Sequence, residues 1–164
     1  MIEIVGDLFD QKVDAIAIMT NGAVRSDGDA VMGKGTAHQA AMRWVGIESR
    51  LGDLLKEFGN HVWKLTVADD DGNIFLPTRL SSNRKYIVPY HIFTFPTKDK
   101  WQRPSNLALI RKSAEELKAK AGTMTVALSR PGCGFGGLKW EEVKPHLTPI
   151  LVGDQFRIVD NANG

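Results

Sequence analysis

The spacing of apolar residues divides the chain into strands and helices. Apolar runs and period-two alternation predict strands at 1–5, 13–19, 62–68, 74–76, 86–95, 123–129 and 155–159. Apolar residues that recur every three or four positions predict helices at 36–45, 47–58, 104–120 and 140–151. A polar, glycine-containing loop is expected between the second strand and the first helix.

Proline and the turn-forming residues set several boundaries of these elements. Pro96 is expected to end the strand at 86–95, and Pro104 fits the first position of the helix that follows. The polar run 69–73 joins two strands as a hairpin. Strands that alternate with helices predict a single α/β domain over residues 1–164. We expect a three-layer α/β/α sandwich, with a central sheet that is mixed because of the hairpin.

Composition places the chain among soluble globular domains. Hydrophobic residues make up 43% of the chain and charged residues 24%, and the formal charge of +2 gives little support to DNA coating by net charge. A single cysteine excludes an internal disulfide and fits a reducing compartment. No leader or membrane-length apolar run is found, so a cytoplasmic protein is expected. The four histidines lack ligand spacing, and we expect no metal and no cofactor.

A glycine-rich turn between a strand and a helix carries the strongest chemical signal. Its four glycines, at positions 132, 134, 136 and 137, lie between a buried strand and the helix that begins near Trp140. Glycine permits positive φ angles and lets main-chain N–H groups approach a ligand closely. Such a turn, entering a helix N-terminus, favours binding of a phosphate or diphosphate.

Two familiar nucleotide motifs match in part, and their context argues against both. The spacing of Gly132, Gly134 and Gly137 satisfies the dinucleotide-binding pattern, but only 27 residues follow Gly137, too few for the rest of that domain. Gly28 and Gly33-Lys34 nearly complete a nucleoside-triphosphate loop. The next residue is Gly35, where a magnesium-binding Ser or Thr is needed.

Four sequence blocks, taken in order, resemble the macrodomain family, whose members bind ADP-ribose. The resemblance is to the branch that contains the DNA ADP-ribosyl glycohydrolase antitoxins and the human terminal ADP-ribose glycohydrolase. The blocks are Val-Gly-Asp-Leu-Phe at 5–9, Val-Met-Gly-Lys-Gly-Thr-Ala at 31–37, Phe-Pro-Thr-Lys at 95–98, and the segment 130–145. They span nearly the whole chain.

The resemblance implies a role for each block in holding ADP-ribose. Asp7 is expected to accept the adenine amino group, and the Leu8 main chain to fix the ring. The distal ribose is expected to contact Asn21, Met32, Gly33, Lys34, Gly35 and Thr36. The diphosphate is expected to be wrapped by Gly132, Cys133, Gly134, Phe135, Gly136 and Gly137. Main-chain N–H groups and a helix dipole suit two phosphates without any lysine.

The resemblance also implies that Lys98 is the catalytic residue. In one described route, the lysine attacks the anomeric carbon of the distal ribose and forms a lysyl adduct. The human type carries an acidic residue where this chain has Gly136, so proton transfer is left to Lys98, alone or with Lys34 or His38. A solvated charged loop is the alternative interpretation of the residues around Lys98.

Aromatic and basic residues near these blocks add two further expectations. Phe135 is expected to cover a ribose in preference to packing in the core. Trp101, with Lys100 and Arg103, forms a candidate contact to nucleic acid through stacking and phosphate binding, and a plain surface aromatic fits equally well. Cys133 is expected to be a small packing residue, since no histidine is placed to activate its thiol.

The resemblance, taken together with these residues, implies an ADP-ribosyl glycohydrolase with a lysine as its key catalytic group. The expected partner is ADP-ribose or an ADP-ribosylated macromolecule, DNA being favoured over protein, and the expected assembly is a monomer without membrane contact. Two other functions remain open from sequence. One is a non-catalytic module that reads ADP-ribose or sequesters a nucleotide, and the other is a phosphatase acting on ADP-ribose-1″-phosphate.

Overall fold

The computed structural model describes residues 1–77 and 86–161. Within these ranges the strands are β1 (Ile2–Val5), β2 (Ala15–Asn21), β3 (Val67–Ala68), β4 (Ile74–Leu76), β5 (Tyr86–Ile87), β6 (His91–Lys98), β7 (Val126–Ser129) and β8 (Phe156–Asp160). The α-helices are α1 (Gly35–Arg43), α2 (Ile47–Phe58), α3 (Leu107–Ala121) and α4 (Trp140–Leu147). Short 3₁₀ turns lie at Leu8–Asp10 and Gly134–Gly136. No helix in the described ranges has the length and apolar character needed to cross a bilayer.

The predicted α/β sandwich is confirmed, with a five-stranded sheet in the order β1-β8-β7-β2-β6. All of its strand pairs are parallel. The hairpin builds a separate antiparallel sheet, β3-β4-β5. The central sheet was expected to include an antiparallel strand, but its antiparallel neighbour is an irregular segment beside β6. There the Leu65 amide donates to the Ile92 carbonyl, and the Thr94 amide donates to the Trp63 carbonyl.

Strand β2 lies inside the sheet and separates two apolar cores. Ile16 and Ile18 pack into the core formed with α1 and α2, whereas Ala15 and Ala17 face the core formed with α3 and α4. All four side chains are fully buried. A parallel strand covered on both faces carries a continuous apolar run, which is the pattern that predicted this strand.

The prediction that Pro96 ends its strand is wrong, because β6 continues to Lys98. Strand β6 lies at the edge of the five-stranded sheet. The Pro96 carbonyl accepts a hydrogen bond from the buried Ser113 hydroxyl at 2.6 Å, so the polar main-chain groups of this residue face away from β2. The N–H that proline lacks is therefore not needed in the ladder.

The third helix begins at Leu107, three positions after the predicted start at Pro104. Asn106 caps it, accepting from the Leu109 amide at 3.1 Å. Tertiary hydrogen bonds delay the start: the Asn106 amide donates to the Thr97 carbonyl, and the Ser105 amide to the Gly136 carbonyl, both at 3.0 Å. These bonds hold the segment before the helix against the loops of the candidate site.

Several other predicted elements are shorter than expected. The strand predicted at 62–68 is regular only at Val67–Ala68, and the one predicted at 86–95 is divided into β5 and β6. The last helix ends at Leu147 instead of 151. The helix at 47–58 has the predicted bounds.

Tyr90 ties the first 3₁₀ turn to the core. Its buried hydroxyl donates to the Phe9 carbonyl at 3.1 Å, and its ring meets the edge of Trp44 with centroids 6.1 Å apart. Burial raises the pKa of the Tyr90 phenol from its ordinary value of 10.0 to about 12. The neutral phenol is therefore the form that the folded state favours.

We predict that Tyr90→Phe lowers the free energy of unfolding at pH 7 by about 1 kcal/mol, since the Phe9 carbonyl loses its buried donor. The raised pKa means that the contribution of Tyr90 is complete below pH 10 and is lost as the pH rises towards 12. Urea unfolding at a series of pH values measures both effects. Stability of the wild-type protein should fall more steeply than that of the variant across this range, and parallel curves would contradict the assignment.

Candidate functional site

A cleft of about 720 Å³ lies at the carboxyl ends of β2, β6, β7 and β8. In open parallel sheets, ligands bind at this edge, where the loops after the strands meet. Most of the predicted site residues line the cleft together. They are Asn21, Gly33, Lys34, Gly35, Thr36, Lys98, Trp101, Gly132, Cys133, Gly134, Phe135 and Gly136.

One wall of the cleft is the loop that leads from β2 into α1. The Thr36 hydroxyl, in the first turn of α1, accepts from the Met19 amide of β2 at 2.9 Å. The Asn21 side-chain amide donates to the Val31 carbonyl at 3.1 Å, and its oxygen accepts from the Ala23 amide at 2.9 Å. The loop is thereby held to the strand end, and the positive end of the α1 dipole faces the cleft.

The opposite wall is the glycine turn, where two glycines are required. Gly132 has a φ of +76°, and a Cβ there would lie 2.8 Å from the Ile110 side chain and 2.9 Å from that of Leu138. At Gly136 a Cβ would collide with the Ser105 hydroxyl. Since Ser105 also donates its amide to the Gly136 carbonyl, the turn is pressed directly onto the segment before α3.

This contact gives a steric reason for the missing carboxylate at position 136. The Ser105 hydroxyl fills the space into which a side chain at 136 would project. Ser105 is buried, and its oxygen has no hydrogen-bond partner among the described residues. Glycine at 136 is therefore coupled to serine at 105, two positions that are far apart in the sequence.

Two lysines converge on the tip of the glycine turn. Lys98, the last residue of β6, points its ammonium at the Phe135 carbonyl, with the nitrogen 3.4 Å from the oxygen. The Lys34 ammonium lies 5.7 Å from the centroid of the Phe135 ring. The ring itself is 70% exposed. Two cations beside a turn rich in main-chain N–H groups make this part of the cleft suited to an anion.

Cys133 lies in the same turn without the properties of a nucleophile. Burial raises the pKa of its thiol, so the thiolate is disfavoured. The sulfur lies 3.7 Å from the Pro131 carbonyl oxygen. These features agree with the packing role expected from the sequence.

A charged network closes the far end of the cleft. Arg130 and Asp160, both cleft residues, form an ion pair of 3.5 Å. The carboxylate of Glu3 accepts from Lys144 and from the Trp140 indole, each at 2.6 Å, and these hydrogen bonds lower its pKa. Among the described residues that line the cleft, Asp160 is the sole acid, and it is committed to Arg130.

The predicted adenine residues lie beside this far end without lining the cleft. Gly6 donates its amide to the carbonyl of the cleft residue Asp160 at 3.0 Å, which places the following residue, Asp7, next to the opening. The Asp7 carboxylate already caps the first 3₁₀ turn by accepting from the Phe9 amide at 2.8 Å. Leu8 is buried in the core.

Other predicted residues lie outside the cleft. Met32 is buried and lines a second cavity of about 350 Å³ behind the α1 loop, together with His38. Gly137, Lys100 and Arg103 are exposed, but they are not part of the cleft lining. His38 is thus separated from the cleft residue Lys98, with which it was considered as a proton-transfer partner.

The sequence alone did not identify several residues that line the cleft. They include Thr97, Ser105, Arg130, Asp160 and Asn161. Parallel topology was the available signal for Asp160 and Asn161, since the carboxyl ends of neighbouring parallel strands share one edge. Ser105 carried no such signal, because its place under Gly136 depends on tertiary contacts. No cluster of three or more potential metal ligands occurs within the described ranges.

The sequence matches curated DNA ADP-ribosyl glycohydrolases, although no protein-family model matches the chain. It is 30% identical over 148 residues to the protein of this name from Mycobacterium tuberculosis, covering 87% of this chain and 36% of the relative. It is 35% identical to the Thermus aquaticus protein of the same name over 66 residues, covering 38% of this chain and 18% of the relative. The chain thus spans about a third or less of the length of these relatives.

Solved structures give the same relationship. The macrodomain of Mycobacterium tuberculosis DarG superposes with a TM-score of 0.71 and 25% identity, over 96% of this chain and 95% of that one. Thermosipho africanus DarTG, solved in complex with ADP-ribose, shares the fold at 20% identity, with a TM-score of 0.73 over 99% of this chain and 42% of that one. The fold, the order of the sequence blocks and these similarities lead to one conclusion: the chain belongs to the macrodomain family and resembles its DarG branch.

Proposed function

We propose that the chain is an ADP-ribosyl glycohydrolase that releases ADP-ribose from DNA, with Lys98 as its key catalytic group. The observation that carries this proposal is the position of the Lys98 ammonium, 3.4 Å from the Phe135 carbonyl at the tip of the glycine turn. A lysine at this point can reach a sugar attached to a diphosphate in the turn. The names of the curated relatives support the reaction class and the DNA substrate.

The cleft has suitable groups for the diphosphate and for the distal ribose of ADP-ribose. The diphosphate fits the main-chain N–H groups of the glycine turn, beside the ammonium groups of Lys34 and Lys98. The distal ribose fits next to Asn21, whose amide nitrogen carries two hydrogens and can donate to a hydroxyl while holding Val31. The adenosine half then extends towards Arg130 and Asp160.

The proposed reaction proceeds through a covalent adduct on Lys98. The Lys98 ammonium first loses a proton to solvent; the amine then attacks C1″ of the distal ribose, a C–N bond forms, and the glycosidic bond to the leaving group breaks. The proton lost from the lysine nitrogen goes to the leaving group. Water then cleaves the C–N bond, restoring the amine and releasing ADP-ribose. Because the attacking amine supplies the proton, the first step has no need of a carboxylate at Gly136.

A nucleic-acid substrate is supported by the loop that follows Lys98. The Trp101 indole is 51% exposed and lines the cleft three positions after the lysine. Exposed indole faces stack on unpaired bases, and the neighbouring Lys100 and Arg103 are exposed cations suited to phosphates. A DNA strand attached to the distal ribose can therefore contact this loop as it leaves the cleft.

A non-catalytic reader of ADP-ribose is the second candidate. It is favoured by the contact between Gly136 and Ser105, which excludes a carboxylate from the glycine turn. The sole acid among the described cleft residues is paired with Arg130 at the far end. In this function Lys98 serves as a cationic contact to the diphosphate.

We predict that Lys98→Ala lowers the rate of ADP-ribose release from ADP-ribosylated single-stranded DNA by at least about 100-fold, since the attacking group is lost. Binding of free ADP-ribose, measured by calorimetry, should persist because the glycine turn is intact. Lys112→Ala, at an exposed position of α3, is the matched control. Release at the wild-type rate by Lys98→Ala would overturn the assignment, and no release by the wild-type protein would favour the reader.

Gly136→Ala should weaken ADP-ribose binding at least about tenfold, because the added methyl collides with the Ser105 hydroxyl and distorts the turn. Combining it with Ser105→Ala removes the colliding oxygen and should restore most of the affinity. Calorimetry on the single and double variants measures the effect. An equal loss in both would show that the collision is not the cause.

Trp101→Ala should raise the KM for an ADP-ribosylated oligonucleotide about 5- to 100-fold, which corresponds to the loss of one stacked base. The dissociation constant for free ADP-ribose should stay unchanged. Val152→Ala trims an apolar side chain at a residue that is 59% exposed and outside the cleft lining, and serves as the control. Efficient release from ADP-ribosylated protein, with none from DNA, would overturn the DNA substrate and leave the role of Lys98 in place.

A further inference from the structure

Asn60 lies outside the cleft lining, behind the main chain of Lys98. Its side-chain nitrogen, Nδ2, donates to the Lys98 carbonyl and to Oδ1 of Asp99, each at 3.1 Å. We infer that Asn60 is a positioning residue for Lys98, fixing the main chain from which the lysine reaches into the cleft. This inference rests on the proposed function of Lys98.

The Lys98 carbonyl is held from two directions. Besides Asn60, the Gly22 amide donates to it at 3.1 Å and also approaches the Asp99 carbonyl at 3.1 Å. A carbonyl oxygen has two lone pairs, and both are engaged here. A Cβ at Gly22 would lie 2.9 Å from both Asn60 Nδ2 and the Asp99 carbonyl oxygen. The end of β2, the end of β6 and the segment after α2 that contains Asn60 are thus packed without space between them.

Asn60 holds the Lys98 main chain at a point where the sheet itself gives the strand little support. Strand β6 is at the sheet edge, and its register against β2 shifts between Thr20 and Asn21, just before Lys98. Lys98 is the last residue of the strand, and its side chain must extend across the cleft to the Phe135 carbonyl. Displacement of a reacting group by about 1 Å can cost about 100-fold in rate, so the placement of this main chain matters for catalysis.

The orientation of the Asn60 amide follows from its neighbours. Exchanging its nitrogen and oxygen would set the oxygen against the Lys98 carbonyl and the Asp99 carboxylate, two acceptors without a proton to donate. The oxygen, Oδ1, is buried and has no partner within the described ranges. An unpaired buried oxygen disfavours folding, so it offsets part of the stability that the two donated hydrogen bonds contribute. The Asn60 donor is the useful group.

The segment that contains Asn60 is itself held in place by Trp63. Gly59, which ends α2, accepts from the Trp63 indole at 2.9 Å through its carbonyl. Trp63 in turn packs against Phe58 and His61. Asn60 therefore connects a firmly held helix end to the strand end that carries Lys98.

Asn60→Leu keeps the branched shape and the number of side-chain heavy atoms and removes the donor. In steady-state release of ADP-ribose from an ADP-ribosylated oligonucleotide, kcat should fall at least about tenfold. The dissociation constant for free ADP-ribose should change by less than about twofold, because the glycine turn is untouched. If the leucine variant does not fold, Asn60→Ala provides the same comparison. Equal losses in kcat and in ADP-ribose affinity would indicate a merely structural role and overturn the inference.

Two further variants separate positioning from general destabilisation. Gln155→Ala removes another side-chain amide that donates to two main-chain carbonyls, those of Gly122 and Met124, outside the cleft lining, and should lower the melting temperature while kcat stays unchanged. Asp99→Asn keeps the bond from Asn60 to the Lys98 carbonyl and should lower kcat by less than about threefold. A loss with Asp99→Asn as large as that with Asn60→Leu would assign the effect to the carboxylate and overturn the role through Lys98.

The wild-type protein and Lys98→Ala, measured alongside, distinguish the two proposals. If Asn60→Leu keeps the full kcat while Lys98→Ala is inactive, the role of Asn60 is overturned and the proposed function stands. No release by the wild-type protein overturns the proposed function and the Asn60 role with it. In the Lys98→Ala background, Asn60→Leu should cause no additional loss of the residual rate, and an additional loss would place its action elsewhere.

Discussion

The parallel pairing of β2 with β6 and β7 is the constraint on which the cleft depends. It brings the ends of these strands to one edge, so Asn21, Lys98 and the glycine turn meet although they are far apart in the sequence. The pairing is maintained by burial on both faces, with alternate β2 side chains belonging to different cores. Moving β2 by one residue would exchange these side chains between the cores and disperse the loops of the cleft.

The two walls of the cleft are held by different forces. The glycine turn is fixed by shape, since Gly132 and Gly136 have no space for a side chain. Lys98 is fixed by hydrogen bonds to its carbonyl, while its own side chain spans open space. The wall proposed to bind the diphosphate is therefore held by packing, whereas Lys98, the proposed reactive group, is held through its main chain. In the proposed function, this arrangement separates affinity for the diphosphate from the chemistry at the sugar.

Patterns within one element allowed most of the fold to be predicted. The buried run at β2 and the helical spacing of α2 were recognised correctly because burial and periodicity are local properties. The errors at Pro96 and Pro104 have another origin: an edge position tolerates the first proline, and bonds to Thr97 and Gly136 delay the helix after the second. Local sequence propensity does not predict such long-range hydrogen-bond partners.

The residues of the candidate site likewise divide into those that local sequence patterns predict and those that only tertiary contacts reveal. Residues within the sequence blocks, such as Lys34, Lys98 and Phe135, came together as a cleft. No local pattern singles out Ser105 or Asn60, because each acts on a residue that is distant in the chain. Met32 belongs to a recognised block and yet is buried in the core beneath α1, where it lines the second cavity instead of the cleft.

The loop before α1 lies between the cleft and the second cavity. Val31 and Gly33 line both the cleft and this cavity, so the loop is a thin partition with open space on either side. A Cβ at Gly33 would meet no atom within 4 Å, whereas Gly132 and Gly136 in the turn opposite have no space for one. The cleft thus has one wall packed against the segment before α3 and one wall with open space on both sides. In the proposed function, the open space beside this loop leaves room for groups of different size on the distal ribose, while the glycine turn opposite holds the diphosphate.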